Sequence, residues 1–438
     1  MAGIVGGARR WAVGVCILLA AGGLTGCSSN HPARSAEPPS TSSTTSPARG
    51  TGGPPGGEQA TVLCSSGTPS FALLAVTGRL GTTELVVTDD FRHFATVTPN
   101  PNLVATPSFG AFTGGTCPTP ADLWVIAASA DHSVGWLLHS TNGGQSWTES
   151  RQAWVGDAGG ASVAFSDVGH GFLVSGDPAA NGNAALAFAR TTDGGTTWTP
   201  VPLPVQTLDD LAGGLAFATG TDGFAVPSLS PGSAVDSTLL TTSDAGSTWT
   251  AALQPAVAGP TALFSTPSCF GGQAILPIVV VHAALSSPPP GQTERGTADV
   301  VVDQSSDGGA SWRSWPTVAL GATVSLQSGS RPLGTPSVSP SSPSTVWIAY
   351  ATTAGRVSLR LTTDGGASWS TPPGHGLPTA VPPADPRSSV AQPVSIQAVS
   401  GGDAIVTVQA DAGSSPVSYL TVDGGSHWSP ITAGTLAD

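Results

Sequence analysis

Lysine is absent from the 438-residue chain, so its 14 cationic side chains are all Arg. Charged residues make up 9% of the sequence, against about 25% in an average soluble domain. That scarcity excludes coiled coils and helix-rich architectures, which are built on Ala, Glu, Lys and Leu. The formal net charge is −13 and no basic run occurs, so nucleic acid is excluded as an electrostatic partner. There are only two Tyr and five Glu, which limits glycosidase chemistry. The eight His show no metal-ligand spacing with Cys or carboxylates. Phosphate-binding loops, dinucleotide fingerprints and nucleophile elbows are missing too, so neither a metal nor a cofactor is expected.

What the chain has instead is 57 Gly and 39 Pro in a sequence that is still 39% hydrophobic. Such a chain can build a core, and it turns often. The N-terminus is different in kind. Arg9 and Arg10 precede an apolar stretch from Trp11 to Gly23, too short to span a bilayer, which takes about 20 residues. It ends in Leu24-Thr25-Gly26-Cys27, which resembles the lipobox of bacterial lipoproteins at all four positions. The resemblance implies a signal peptide over 1–26, acylation of the Cys27 thiol, and a place on the outer side of the bacterial cytoplasmic membrane. Residues 27–59 are dominated by Ser, Thr, Pro and Gly and read as a disordered tether reaching about 30 Å.

Cys64, Cys117 and Cys269 remain in the exported portion. Cys64 and Cys117 each lie seven residues before an aromatic (Phe71 and Trp124), hence at like positions in neighbouring repeats. Export permits a disulfide between them; buried free thiols are the alternative.

One pattern recurs along the chain: Ser or Thr, an Asp or Asn two residues on, Gly two later, and Trp three beyond. Its anchors are Asn142, Asp193, Asp244, Asp307, Asp364 and Asp423, followed by Trp147, Trp198, Trp249, Trp312, Trp369 and Trp428. A degenerate copy running from Asp89 to Phe94 keeps an Asp and an aromatic but loses the Gly. Asp or Asn followed by Gly is a hairpin signal, because these residues tolerate positive φ. The carboxylate can accept amides of its own turn, and the Trp can cover the hairpin. We call each copy a box. The boxes resemble the Asp-box, or BNR repeat, of sialidases and many non-catalytic propellers, in which it is a structural turn. That resemblance implies a structural role here.

Upstream of each box lies a pair of short apolar strands, such as Val163–Ser166 with Gly171–Val174. With the box hairpin, each repeat yields four antiparallel strands. The unit is similar to the repeat of the photosystem II assembly and stability factor family, which implies an all-β, seven-bladed β-propeller over 60–432 with a short tail over 433–438. The blades are expected at 60–100, 107–152, 160–203, 211–254, 258–318, 333–374 and 392–432. A six-bladed ring follows if the degenerate copy forms no blade. With no spare strand, closure is expected to rest on packing between the first and last blades.

Insertions place the ligand face opposite the boxes. Its candidate residues are Arg79, Asp131, His132, Arg151, Asp157, Glu294, Arg295, Arg331, His375, Asp385 and Arg387. The expected function is non-catalytic binding or scaffolding by a monomer, with an envelope protein or glycan as partner. The alternative is a sialidase-like glycoside hydrolase. The sialidase resemblance implies a Tyr–Glu pair, for which Tyr350 and Glu294 are the candidates, although the family's Arg-Ile-Pro motif is absent.

Overall fold

The computed structural model describes residues 55–433 apart from 57–58, 68–69, 78–82, 98–108, 130–134, 152–156, 177–185, 202–214, 227–238, 253–260, 284–292, 328–331, 381–392 and 411–415. Among them there is no helix, and the strands form seven antiparallel blade sheets in sequence order and one further two-stranded sheet. Five sheets have four strands in simple up-and-down order; the second runs Phe109–Thr116, Leu123–Ser129, Gly135–Ser140 and Thr148–Arg151. The sixth has three strands, and its fourth position is held by a bridge between Leu361 and Ser370. First strands lie against one another from the first blade to the fourth and from the sixth to the seventh, the fifth blade meets its neighbours through other strands, and the first strand of the seventh, Val394–Ser400, meets that of the first, Gln59–Gly67. The result is a closed seven-bladed β-propeller.

The sequence pattern follows from position in the blade. Second strands are sandwiched between neighbouring blades and must be apolar on both faces. Every residue of Leu123–Ser129 and of Val346–Ala351 is buried. Fourth strands lie at the outer rim and are short, exposed and often close to Pro, as in Thr199–Pro200 and Ser429–Pro430. Short, Pro-bearing edges resist pairing with other chains. Between blades, aromatic rings stack: Trp124 on Phe165 at 3.9 Å, and Phe172 on Phe217 at 3.3 Å between centroids. Aromatic pairs of this kind add about 0.5–1.5 kcal/mol beyond their buried area.

The seam between the last and first blades holds more than packing. Strand Pro55–Gly56 pairs with Thr432–Ala433, inside the stretch whose composition reads as tether. Next to it, the Ser418 hydroxyl accepts the Ala60 amide at 3.0 Å and donates to the Ala60 carbonyl at 3.1 Å. Gln397 treats Val62 likewise, accepting its amide at 2.9 Å and donating to its carbonyl at 3.3 Å. Two side chains of the seventh blade thus take the part of a neighbouring strand. Cys64 and Cys117 join the first two blades in a disulfide, with Cα atoms 5.6 Å apart. Cys269 is unpaired, and burial pushes its thiol pKa up to about 12.

The fifth blade is the largest. Its third strand, Thr293–Ser305, has 13 residues where the fourth blade's Leu240–Thr242 has 3. The outer half of that strand pairs with Val318–Gln327, which packs Ala322, Val324 and Leu326 against the sixth blade.

Candidate functional site

The box turns are assembled from their own residues. Thr191 Oγ1 donates to Asp193 Oδ1 at 2.7 Å while accepting the Gly195 amide at 2.9 Å. Asp193 then accepts the Thr197 amide at 2.9 Å and the Thr197 hydroxyl at 2.6 Å. Asp244, Asp307 and Asp364 repeat this arrangement. At Asn142 the side-chain amide donates instead, to Ser146 Oγ at 2.8 Å. At Asp423 the partner is His427, through its amide at 3.0 Å and ring Nδ1 at 2.8 Å. The Thr197 hydroxyl and amide hold Asp193 down to about 2, and the Ser368 hydroxyl and amide do the same for Asp364. Each of these carboxylates accepts three hydrogen bonds within its own turn and is held below its ordinary pKa, which suits it to shaping the hairpin rather than to general acid–base work.

The degenerate box is anchored by Asp90, where the sequence pattern placed the anchor at Asp89. Asp90 Oδ1 accepts the amides of Arg92 at 2.9 Å and His93 at 2.8 Å, and Oδ2 meets His93 Nδ1 at 2.6 Å. Thr88 Oγ1 accepts the Phe91 amide at 2.8 Å. The turn is one residue shorter than the others, and Phe91 takes the positive φ, 55°, that glycine takes in five of the six full boxes and Ala245 in the other. Burial opposes ionisation of Asp90, but the His93 ring and the two amides prevail and bring its pKa to about 2. The two-residue spacing from Thr88 to Asp90, the same as in the full boxes, is the signal that points to the right acid, and the sequence reading missed it.

Box tryptophans sit at the junction with the preceding blade. Trp147 donates to the Val97 carbonyl of the first blade at 2.8 Å, whereas Trp198 and Trp428 donate to Gly195 and Gly425 in their own turns at 3.1 Å. Trp249, Trp312 and Trp369 bury indole nitrogens that have no hydrogen-bond partner among the described residues.

Strand connections place the second-to-third loops and the blade-to-blade segments on the face opposite the boxes. Of the ligand-face candidates, Arg79, Asp131, His132, Arg331, Asp385 and Arg387 lie outside the described residues, as does Cys27. Arg151 and Asp157 fall on strands Thr148–Arg151 and Asp157–Phe165. Glu294 and Arg295 belong to a strand rather than to the expected loop, paired with Leu326 and Ser325. They lie at the strand end remote from the box, with Arg295 exposed. Just below them on the same blade, His282 Nε2 meets Asp299 Oδ2 at 3.3 Å, and Asp299 Oδ1 accepts the Leu320 and Gly321 amides at 2.8 and 3.1 Å. The sequence carried no local signal for this pair, because a register across two strands brings it together.

Two candidates are corrected. His375 is on the box face: its carbonyl accepts the Trp428 amide at 2.8 Å, and its ring lies 6.0 Å from that of His427. The segment after the sixth box runs along the seventh hairpin before it crosses the blade, which the loop-length argument did not foresee. Tyr350 is 6% exposed and packs in the core with Val300, Ile348 and Val324. A nucleophile must reach substrate, and this side chain is enclosed by apolar neighbours. The glycosidase alternative loses its candidate nucleophile.

No protein-family profile matches the chain, and no curated protein matches it. Among solved structures it is similar to YCF48 bound to D1 peptide, with 15% identity over 69% of this chain and 92% of that one, at a TM-score of 0.32. It is also similar to a Niastella koreensis GH74 enzyme, with 12% identity, coverages of 87% and 74%, and a TM-score of 0.34. A prolyl endopeptidase gives 12% identity and a TM-score of 0.52 over 85% of this chain. This chain matches only 49% of that enzyme's length. At such identities the likeness concerns the propeller fold alone, and fold does not confer activity.

Proposed function

We propose that this protein is a non-catalytic binding propeller, exported and held at the outer side of the bacterial cytoplasmic membrane by lipid on Cys27. It acts as a monomer without a cofactor and takes an envelope protein or glycan on the face opposite the boxes. The observation that carries this reading is the division of labour between the two ends of the blades. At one end the box acids are engaged in turn geometry, whereas at the other the second and third strands of the fifth blade carry the exposed His282 and Arg295.

The test is copurification from detergent-solubilised membranes. Specific partners are expected with the native chain and are lost when Arg295, Arg331 and Arg387 are all reversed to Glu. Unchanged recovery overturns the face assignment. For the anchor, Cys27→Ser is expected to abolish lipid labelling of the mature protein; a labelled band from that variant overturns it.

A further inference from the structure

Five of the six full boxes carry Ser or Thr just before the Trp, and the sixth carries His427. The exchange preserves the turn. The His427 amide and ring Nδ1 meet Asp423 at 3.0 and 2.8 Å, where the Thr197 amide and hydroxyl meet Asp193 in its box. It also adds a second ring nitrogen, Nε2, on an exposed side chain. Beside this ring stands His375. The segment after the sixth box lies along the seventh hairpin, with the Gly374 amide donating to the Gly425 carbonyl at 3.3 Å and the Trp428 amide to the His375 carbonyl at 2.8 Å. Gly376 has φ 96°, and a Cβ there would run into the Trp428 carbonyl, so glycine is what lets the segment come this close. His375 and His427 thereby become partners in a parallel bridge, which sets their side chains on one face.

We infer that His375 and His427 together form a binding site for a divalent transition metal ion of the kind that prefers imidazole, Cu²⁺ or Zn²⁺, with water as its remaining ligands. Both side chains are exposed, and their ring centroids lie 6.0 Å apart. Metal–imidazole bonds of about 2.0–2.1 Å put a bridging ion about 3 Å from each centroid, so the observed separation lies within its span. A histidine that ligates a metal commonly gives its other ring nitrogen to a carboxylate, which fixes the ring and leaves the remaining nitrogen free to bind. His427 has that partner in Asp423. The Asp90–His93 and Asp167–His170 pairs share the carboxylate, but no second His ring meets either of them among the described residues. Nor do the described residues bring a third His, Cys, Asp or Glu to the pair, so the ion is exchangeable rather than a resident cofactor. No sequence spacing announces the site, because only the path of the chain along the seventh hairpin brings the two rings together. It lies on the box face and stands independently of the ligand-face reading above.

The probe is Cu²⁺ added to the full chain in detergent, read by calorimetry and by electron paramagnetic resonance, with Mg²⁺ as the control ion. Copper(II) binds nitrogen sites most tightly among the divalent first-row metals, whereas Mg²⁺ prefers oxygen and is expected not to compete. Because the second imidazole acts at high effective concentration, the native chain is expected to bind Cu²⁺ at least about tenfold more tightly than His375→Ala or His427→Ser. The copper spectrum is expected to show two coordinated ring nitrogens in the native chain and to lose one in either variant. His427→Ser restores a residue that other boxes use, and His375→Ala changes an exposed side chain, so both are expected to fold. His170→Ala, which removes a ring with a carboxylate partner but no second His, is expected to leave the affinity unchanged. A loss smaller than tenfold in either variant, a copper spectrum that neither variant alters, or an equal loss in His170→Ala overturns the inference.

Discussion

Ser418 stands 358 residues from Ala60, yet its hydroxyl satisfies both the amide and the carbonyl of that residue. Ala60 is buried, so removal of the hydroxyl strands two backbone groups away from water. Ser418→Ala is expected to cost about 1–3 kcal/mol, the usual penalty for buried groups left unsatisfied. Chemical denaturation measures it. A loss below a few tenths would show that the seam is held by packing alone.

The disulfide between Cys64 and Cys117 closes a 53-residue loop. Chain-entropy arguments give about 4 kcal/mol for a loop of that length. The double Cys→Ser variant, unfolded in parallel with the native chain under non-reducing conditions, is expected to lose stability of that order.

Ala245 occupies a left-handed conformation, φ 58°, at the box position where Gly143, Gly194, Gly308, Gly365 and Gly424 sit in the others. An L-residue there costs about 1–2 kcal/mol. Ala245→Gly is therefore expected to raise Tm. The next residue behaves oppositely: Gly246 has φ 80°, and an added Cβ would lie 2.8 Å from the Phe188 ring. Gly246→Ala is expected to lower Tm.

Asp303 is 0% exposed on the third strand of the fifth blade, and neither carboxylate oxygen has a well-formed hydrogen bond among the described residues. Burial raises its pKa, with the Ser314 hydroxyl opposing the shift. The folded state thus holds this proton more tightly than the unfolded state, so the contribution of Asp303 falls as pH rises above the ordinary value of 3.8. Box acids such as Asp193 have the opposite sign, with stabilisation lost as pH falls from 3.8 towards about 2. Asp303→Asn is expected to be more stable than the native chain at neutral pH, and the gain should shrink towards pH 4. A pH series of thermal melts decides it; a gain that grows on acidification refutes the assignment.

Asp90→Ala is expected to lower Tm more than Asp89→Ala, because Asp90 holds two amides and a ring in the short turn. Melting the two variants side by side checks which acid anchors the first box.

The six full boxes were legible because their chemistry is local. Every contact of Asp364 with Thr362 and Ser368 falls within seven residues, so a repeated spacing records it. Blade number followed from the same repeat. The seam was not legible, because Pro55–Gly56 pairs through backbone alone and has the composition of the tether around it. Ser418 and Gln397 look like any Ser and Gln until the ring brings Ala60 and Val62 beside them. His375 failed for a related reason: only the path of the chain across the seventh hairpin shows on which side it lies.

The pairing of Pro55–Gly56 with Thr432–Ala433 also defines a load path. Tension applied to the chain N-terminal to Pro55 enters the ring at its seam, and the two-residue pair takes it first. Behind that pair, strand Gln59–Gly67 is held to its own blade by the ladder with Ser70–Thr77, but to the seventh blade by the side-chain clasps of Ala60 on Ser418 and Val62 on Gln397. Attachment and closure share one junction. A pull hard enough to peel Pro55 from Ala433 would strain the joint between the first and seventh blades before any other, and the ring would open there like a bracelet at its catch.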